Sequence, residues 1–376
     1  MLSLYVHIPF CVSKCRYCGF YSTQYDKVIA DQYLADLQIE IMNRAELFEQ
    51  HTLSSIYIGG GTPTALSREQ ISRLFTLLNE RIRIRPDAEI TIEANPNTVR
   101  SKKLSHLRKQ GVTRLSIGMQ SFSDELLAVL GRSHSALQAI TAMGEARDAG
   151  FDNIGIDLIF GIPGQTEQLW RKTLETAVSL RPEHIAAYSL SLDDGSWLAR
   201  EAEAGRINLP DDDVVAGMYE TAREYLRDSG YEQYEISNFA LVGRQCRHNI
   251  NYWNRGEYLG LGPGAWSFVG DRRFANIADV AEYSKRLRRG VAAVDQEEVL
   301  DRDQAVWETL FLGLRKTTGF DLEQYGMLAG QRSLEILQDR IRELDGASLF
   351  RIESGRLSLT AKGALLSNEA LIRILP

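Results

Sequence analysis

Three of the four cysteines in the chain fall within eight residues, in the stretch Tyr5-Val6-His7-Ile8-Pro9-Phe10-Cys11-Val12-Ser13-Lys14-Cys15-Arg16-Tyr17-Cys18-Gly19-Phe20. C-x3-C-x2-C spacing lets one short loop wrap three thiolates around a single inorganic core, which suits an iron-sulfur cluster. A cubane [4Fe-4S] cluster has four irons. Three protein thiolates therefore leave one iron open to a small molecule, by the open-position logic that separates catalytic from structural zinc sites. Spacing alone leaves two other readings standing: a tetrahedral zinc site of Cys11, Cys15, Cys18 and His7, or three cysteines simply held reduced.

The chain has 376 residues, 44% of them hydrophobic, enough for one large α/β domain and a smaller one. Its formal charge of -7 argues against general nucleic-acid or anionic-membrane binding. The basic runs at Arg100 to Lys109 and Lys285 to Arg289 read as solvated helix faces. Cysteines clustered at one place, rather than paired across the chain, indicate a reducing compartment. The opening Leu2-Ser3-Leu4-Tyr5-Val6 lacks the basic and long apolar regions of a secretory signal, and no later run reaches about 18 consecutive apolar residues. A soluble cytoplasmic protein is expected.

Up to about Pro210, short β-branched or aromatic runs alternate with longer amphipathic ones, the pattern of repeated βα units around a parallel sheet. Six strands are predicted, at Ser3 to His7, Ser54 to Ile58, Glu89 to Glu93, Arg114 to Gly118, Asn153 to Phe160 and His184 to Leu190. Between them, Ala30 to Leu47 and Arg68 to Leu78 carry apolar stripes at helical spacing. Six units are too few to close an eight-stranded barrel, so the expected fold is α/β, an open partial (βα)6 TIM-like barrel, with its chemistry at the C-terminal ends of the strands.

Unusual residues do follow the strands. Gly59-Gly60-Gly61-Thr62-Pro63-Thr64 comes after the second; its glycines permit close backbone approach, although a glycine-rich loop is as readily only a tight turn. It lacks the Lys-Ser/Thr of a P-loop and the spacing of a dinucleotide fingerprint. Glu93 ends the third strand, Gln120 the fourth, Arg132 follows in Leu130-Gly131-Arg132, and Asp157 sits within the apolar fifth strand, where a carboxylate is costly unless paired or facing a ligand. Each alone also fits a structural hydrogen bond or ion pair.

Past Pro210 the rhythm fades. Val214 to Asp228 reads as a helix and Glu232 to Ser237 as a strand, followed by Cys246-Arg247-His248-Asn249-Ile250-Asn251-Tyr252-Trp253. A thiol, an imidazole and two large aromatics so close together can ligate and sandwich a flat tetrapyrrole. The same segment also fits a core-closing role, with His248 and Tyr252 bonded to backbone. Gly260 to Ala265 makes another turn-rich loop, and Val291 to Leu300 reads as a linker. Beyond it, helices at Gln304 to Gly313, Asp321 to Tyr325 and Arg332 to Leu344, a hairpin of Leu349 to Ile352 with Arg356 to Leu359, and a last helix from Ala361 to Leu375 suggest a small winged-helix-like α+β domain. The expected division is 1–210 for the barrel, 211–295 for a barrel extension carrying the His248 patch, and 296–376 for the C-terminal domain.

Y-x-H-I-P-F-C-x3-C-x-Y-C resembles the cluster loop of radical S-adenosylmethionine (SAM) enzymes, in the branch of oxygen-independent coproporphyrinogen III oxidase and the HemW heme chaperones. The resemblance covers nearly the whole chain. It implies that Cys11, Cys15 and Cys18 hold a [4Fe-4S] cluster whose open iron takes the amino and carboxylate groups of SAM, and that an electron from the cluster can cleave the sulfonium to a 5'-deoxyadenosyl radical. By the same resemblance Gly60, Gly61 and Thr62 receive the methionyl amino group, Glu93 and Asp157 the ribose or adenosyl region, Arg132 the carboxylate, and Gln120 another polar edge, with Tyr5 and Tyr17 beside the cluster and the adenine. His248-Asn249-x-x-Tyr252-Trp253 is similar to the heme-associated H-N-x-x-Y-W motif of the HemW group. The oxidase loop carries a further cysteine where this chain has Phe20, and the oxidase has an N-terminal extension before its cluster strand. These differences imply a chaperone without oxidase activity. The resemblance to the chaperone group also implies heme and heme-accepting proteins as partners, membrane-bound respiratory enzymes among them, a heme donor such as a bacterioferritin, membrane association through those partners, and a homodimer. The oxidase is the alternative; a tRNA-modifying radical enzyme is disfavoured by the acidic balance.

Overall fold

The computed structural model describes residues 2–344 and 348–374. Strand β1, Leu2–Ile8, shows the rule by which the sheet is built. Its Leu2, Leu4, Val6 and Ile8 are fully buried against helices, whereas Ser3, Tyr5 and His7 face the opposite way. Period-2 alternation thus puts an apolar layer outside and a polar one inside. The same division runs through β2 (Leu53–Gly60), β3 (Ile84–Ala94), β4 (Arg114–Gln120), β5 (Ile154–Phe160) and β6 (His184–Ser189), all parallel and in sequence order. The six strands predicted at the start of the chain are all present. The long first helix is shorter than expected: it spans Lys27–Asn43, and Leu47 belongs to a separate helix, Ala45–Gln50, beyond a break at Arg44.

The sheet continues past the barrel. β7 (Glu232–Gln233) and β8 (Asn238–Ala240) extend the β6 edge, while β9 (Tyr258–Leu261) pairs parallel with β1 and is followed outward by β10 (Trp266–Val269), β11 (Arg272–Asn276) and β12 (Val294–Val299). The order is β12-β11-β10-β9-β1-β2-β3-β4-β5-β6-β8-β7, an open sheet of twelve strands. The stretch from Val291 is therefore not a linker: Val294–Val299 pairs antiparallel with β11. Its Asp-Gln-Glu-Glu core resembles a loop because an edge strand with solvent on both faces needs no apolar alternation.

The C-terminal domain has helices Arg302–Leu314, Leu322–Ala329 and Gln331–Glu343, and a three-stranded sheet in which Arg356–Leu359 lies between Phe320–Asp321 and Phe350–Glu353. Its own small core includes Leu310, Tyr325, Leu337 and Leu357. The expected final helix is two, Ala361–Leu365 and Ser367–Ile374; the last residue predicted for it, Leu375, lies outside the described residues.

Candidate functional site at the C-terminal ends of the strands

The cysteine loop is held by its backbone. Phe10–Cys11 pairs with Thr23–Gln24, closing the loop at its base. The amide of Arg16 donates to the Leu130 carbonyl (3.0 Å) and its carbonyl accepts from the amide of Leu198 (2.9 Å), while Gly19 donates to Asp193 Oδ2 (2.8 Å). The Arg16 guanidinium stacks on Trp197, 4.5 Å from its ring centre. A Cβ on Gly131, whose φ is +69°, would lie 2.6 Å from the Arg16 Cγ, so only glycine lets the β4 loop approach this closely.

Cys11, Cys15 and Cys18 are half-buried free thiols. The Arg132 guanidinium donates to Cys15 Sγ (3.2 Å) and to the Gly118 carbonyl (2.7 Å), and the Thr62 hydroxyl lies 3.7 Å from Cys11 Sγ. His7 does not join the thiols. Its Nε2 faces the Tyr21 carbonyl (3.0 Å) and its Nδ1 the Tyr5 hydroxyl (3.1 Å), which argues against a zinc site built from the three thiols and this imidazole. A single zinc would need sulfurs about 4 Å apart; among the described residues no three His, Cys, Asp or Glu side chains converge on one ion. Three free thiols on one backbone-pinned loop can serve as ligands to one inorganic core.

The glycine loop lies directly against this one, because Gly61 donates to the Ile8 carbonyl (2.9 Å) and Thr62 to that of Phe10 (2.8 Å). Gly60, at φ +107°, leaves only 2.5 Å between its would-be Cβ and the His7 ring, and its amide donates to Glu93 Oε2 (3.1 Å). Glu93 Oε1 accepts from Tyr57 (2.8 Å). Burial, and then the neighbouring Asp157, push the Glu93 carboxyl up to about 7. Asp157 accepts from Ser116 (3.2 Å) and is raised by burial too. Gln120 holds a left-handed φ of 64°, a strained backbone state of the kind that gathers at functional sites. Tyr17 packs with Leu126, Leu130, Ile159 and Ile162 near Arg132, and burial raises its hydroxyl.

Twelve of the thirteen predicted residues thus lie on strands β1 to β5 or in the loops that follow them, Tyr5 and Asp157 in mid-strand and the others at the strand ends or beyond. The buried Nε of Arg132, Oδ1 of Asn95 and Oγ1 of Thr91 have no protein partner. At Gly59, Gly60 and Gly118 a Cβ would meet Glu93, His7 and Gln120 respectively, so these glycines let the polar side chains of the site pack closely. Spare donors and spare acceptors fit a small polar, charged ligand seated against the thiol loop.

His248 is the thirteenth, and the structure sets it apart. It is 1% exposed, with Nδ1 facing Ser55 Oγ (3.0 Å) and Nε2 facing the Tyr252 hydroxyl (2.9 Å), so neither nitrogen is free for iron. Glu89 is the cause: its carboxylate accepts the amides of Arg247 and His248, driving helix Arg247–Trp253 into the barrel's polar interior. Burial, and then Arg114, lower the imidazole to about 3. The core-closing alternative describes these surroundings, with side chains rather than backbone as partners. Ser55 lies five residues before Gly60, roughly 16 Å along the strand from the glycine loop.

Tyr252 and Trp253, by contrast, line a cavity of about 610 Å³ with Tyr5, His7, Tyr258 and Phe268. Gly19, Phe20 and Tyr21, at the end of the cysteine loop, form another part of its wall. Sequence reasoning missed Tyr258, Trp266 and Phe268 here; aromatics alternating on short antiparallel strands look like ordinary core, and only β9 and β10 beside β1 bring them to the site.

An open parallel barrel with a three-cysteine loop after its first strand and a glycine loop after its second defines a radical SAM protein, and residues 5–177 match the radical SAM superfamily. Residues 300–366 match the HemN C-terminal domain. The chain is 37% identical to the heme chaperone HemW of Bacillus subtilis, over 98% of both chains, and 31% identical to the mitochondrial radical S-adenosyl methionine domain-containing protein 1 of Danio rerio, over 99% of this chain and 86% of that one. It belongs to the HemW family of the radical SAM superfamily. Its structure is similar to that of the coproporphyrinogen III oxidase HemN of Escherichia coli, with a TM-score of 0.87 and 28% identity, covering 99% of this chain and 89% of that one.

Proposed function

We propose that the protein is a heme chaperone that carries a [4Fe-4S] cluster on Cys11, Cys15 and Cys18, SAM on the adjacent polar cradle, and heme in the aromatic cavity, for transfer to heme-dependent proteins. One observation carries the reading: two aromatics of the H-N-x-x-Y-W patch line a cavity whose wall includes the end of the cysteine loop. At about 610 Å³ it lies in the range of small-molecule and cofactor sites, with aromatic faces suited to a flat macrocycle. His248 acts in this reading as a positioning residue, fixing Tyr252 through its Nε2, and not as a free axial ligand.

When bound, the cluster supplies one electron to SAM. Arg132 would meet the SAM carboxylate with its spare donor, Gly60, Gly61 and Thr62 would offer backbone to the amino group, and Glu93, Asp157 and Gln120 would face the nucleoside, with Tyr5 and Tyr17 on either side. Because Glu93 titrates near neutrality, SAM affinity should fall by up to about tenfold per pH unit below pH 7 and flatten above it, as hydroxyl donors and a positive ligand favour the carboxylate. Calorimetry across pH 6 to 8 on the cluster-loaded protein checks this, and Glu93→Gln should remove the slope.

Residues 1–210 serve as barrel, residues 211 through the end of strand Val294–Val299 as heme-binding extension, and the residues beyond that strand as C-terminal domain. The partners are heme-accepting proteins, membrane-bound respiratory enzymes among them, and a heme donor such as a bacterioferritin; nucleic acid is not one. The protein works in the cytoplasm, as a homodimer, reaching the membrane through its partners; among the described residues no helix is long and apolar enough to cross one. The fold shared with HemN favours a second reading, coproporphyrinogen III decarboxylation. Anaerobic reconstitution with paired assays separates the two. Heme titration should give saturable binding, weakened several-fold in Tyr252→Ala and less in His248→Ala, with no coproporphyrinogen turnover when SAM is supplied. Robust decarboxylation would defeat the chaperone reading.

A further inference from the structure

The edge of the aromatic cavity carries three charged residues from three distant parts of the chain: Arg255 after helix Arg247–Trp253, Arg273 on β11, and Glu308 on the first helix of the C-terminal domain. Glu308 spans both guanidiniums. Its Oε2 accepts from Arg255 Nε at 2.7 Å and its Oε1 pairs with Arg273 Nη2. Both guanidiniums also lie over the Phe268 ring, at 4.5 and 5.5 Å from its centre. A carboxylate therefore already sits where two arginines and an aromatic wall converge on the cavity.

Two features exceed what a simple domain staple needs. Arg255 holds a left-handed φ of 53°, at a position just past a helix end where glycine or asparagine is the unstrained choice. Such strain persists where the side chain is wanted in that place. The buried Nη2 of Arg255 and Nε1 of Trp253, both cavity residues, have no partner. Donors are left over after Glu308 is satisfied.

We propose that Arg255 and Arg273 form the carboxylate subsite of the cavity and that Glu308 is its resident placeholder, displaced when the propionates of a tetrapyrrole bind. This rests on the reading of the cavity as a heme site and adds to it a ligand polarity, with the macrocycle between the aromatics and its acid edge toward the C-terminal domain. It also adds a linkage, because a carboxylate-bearing ligand releases one of the contacts that hold helix Arg302–Leu314 against the sheet. Guanidiniums suit the exchange, since their fork accepts one carboxylate as readily as another.

Equilibrium titration of the full-length protein with iron protoporphyrin and with its dimethyl ester tests the assignment. The wild type should bind the free acid about tenfold more tightly than the ester, the scale of a charge-assisted hydrogen bond. Arg255→Gln should lose most of that preference while keeping affinity for the ester. Glu308→Gln should bind the free acid several-fold more tightly, because the one carboxylate shared by both guanidiniums is gone and Glu298 pairs with Arg273 through its other nitrogen, Nη1; a staple alone would leave affinity unchanged or weaker. Equal binding of acid and ester by the wild type, or weaker acid binding by Glu308→Gln, overturns the subsite while leaving the heme reading intact. A wild type that binds neither compound overturns both.

Discussion

Replacing Cys15 with alanine should leave the chain folded and remove its capacity for a four-iron cluster, so that iron after anaerobic reconstitution drops from about four per chain to near zero. The loop does not depend on that side chain for its shape. Strand pairing at Phe10–Cys11 and the Arg16 backbone bonds to Leu130 and Leu198 hold it, and the thiol is only half-buried. What would be lost is one of the three proposed sulfur ligands, and with it the sulfur that faces the Arg132 guanidinium. Two thiolates cannot replace three around a cubane with one iron already left open. Cys246→Ala is the informative control. That thiol is fully buried beside Glu89, remote from the loop, so its removal should cost stability and leave iron loading unchanged. Iron analysis with far-ultraviolet circular dichroism reads both outcomes; full loading of Cys15→Ala would move the cluster away from this loop.

The strands and the cysteine and glycine loops were legible because each is encoded locally. Alternation in Leu2 to Ile8 sets a buried strand, and Gly60 and Gly131 stand where a side chain would collide with His7 of the first strand and with Arg16 of the cysteine loop. The sites that stayed hidden depend on long-range placement. His248 looks like a ligand in its sequence neighbourhood; Ser55, 193 residues earlier, and Glu89, 159 residues earlier, decide otherwise. Arg255, Arg273 and Glu308 each look like a surface charge until the sheet extension and the C-terminal helix meet. Val294–Val299 looks like a linker because pairing along one edge, and not burial, makes it a strand.

The second large effect is expected at Glu40, a residue that no motif singles out. It sits in the last turn of helix Lys27–Asn43, 2% exposed, and accepts five hydrogen bonds from four residues. Oε2 takes the Gly262 amide (2.8 Å) and the Tyr283 hydroxyl (2.7 Å), and Oε1 takes Asn276 (2.6 Å) and Arg44 (3.1 Å). Gly262 follows β9, Asn276 ends β11 and Tyr283 lies on helix Val280–Arg288, so one carboxylate ties a barrel helix to the extension that carries Tyr258 and Phe268. Glu40→Ala strands those donors and leaves Arg44 without its ion pair, a loss of about 3–5 kcal/mol. Asp36, one helical turn earlier and equally buried, pairs with an Arg288 that is 46% exposed; water can take over that partner, so Asp36→Ala should cost less, about 1–2 kcal/mol. Urea unfolding of the two variants gives the comparison, and equal losses would place the tie elsewhere. Because the thiols belong to the barrel and much of the aromatic wall to the extension, Glu40→Ala should keep most of its iron in reconstituted protein while its heme affinity falls: the two halves of the site are built separately, and a buried charge sets the distance between them.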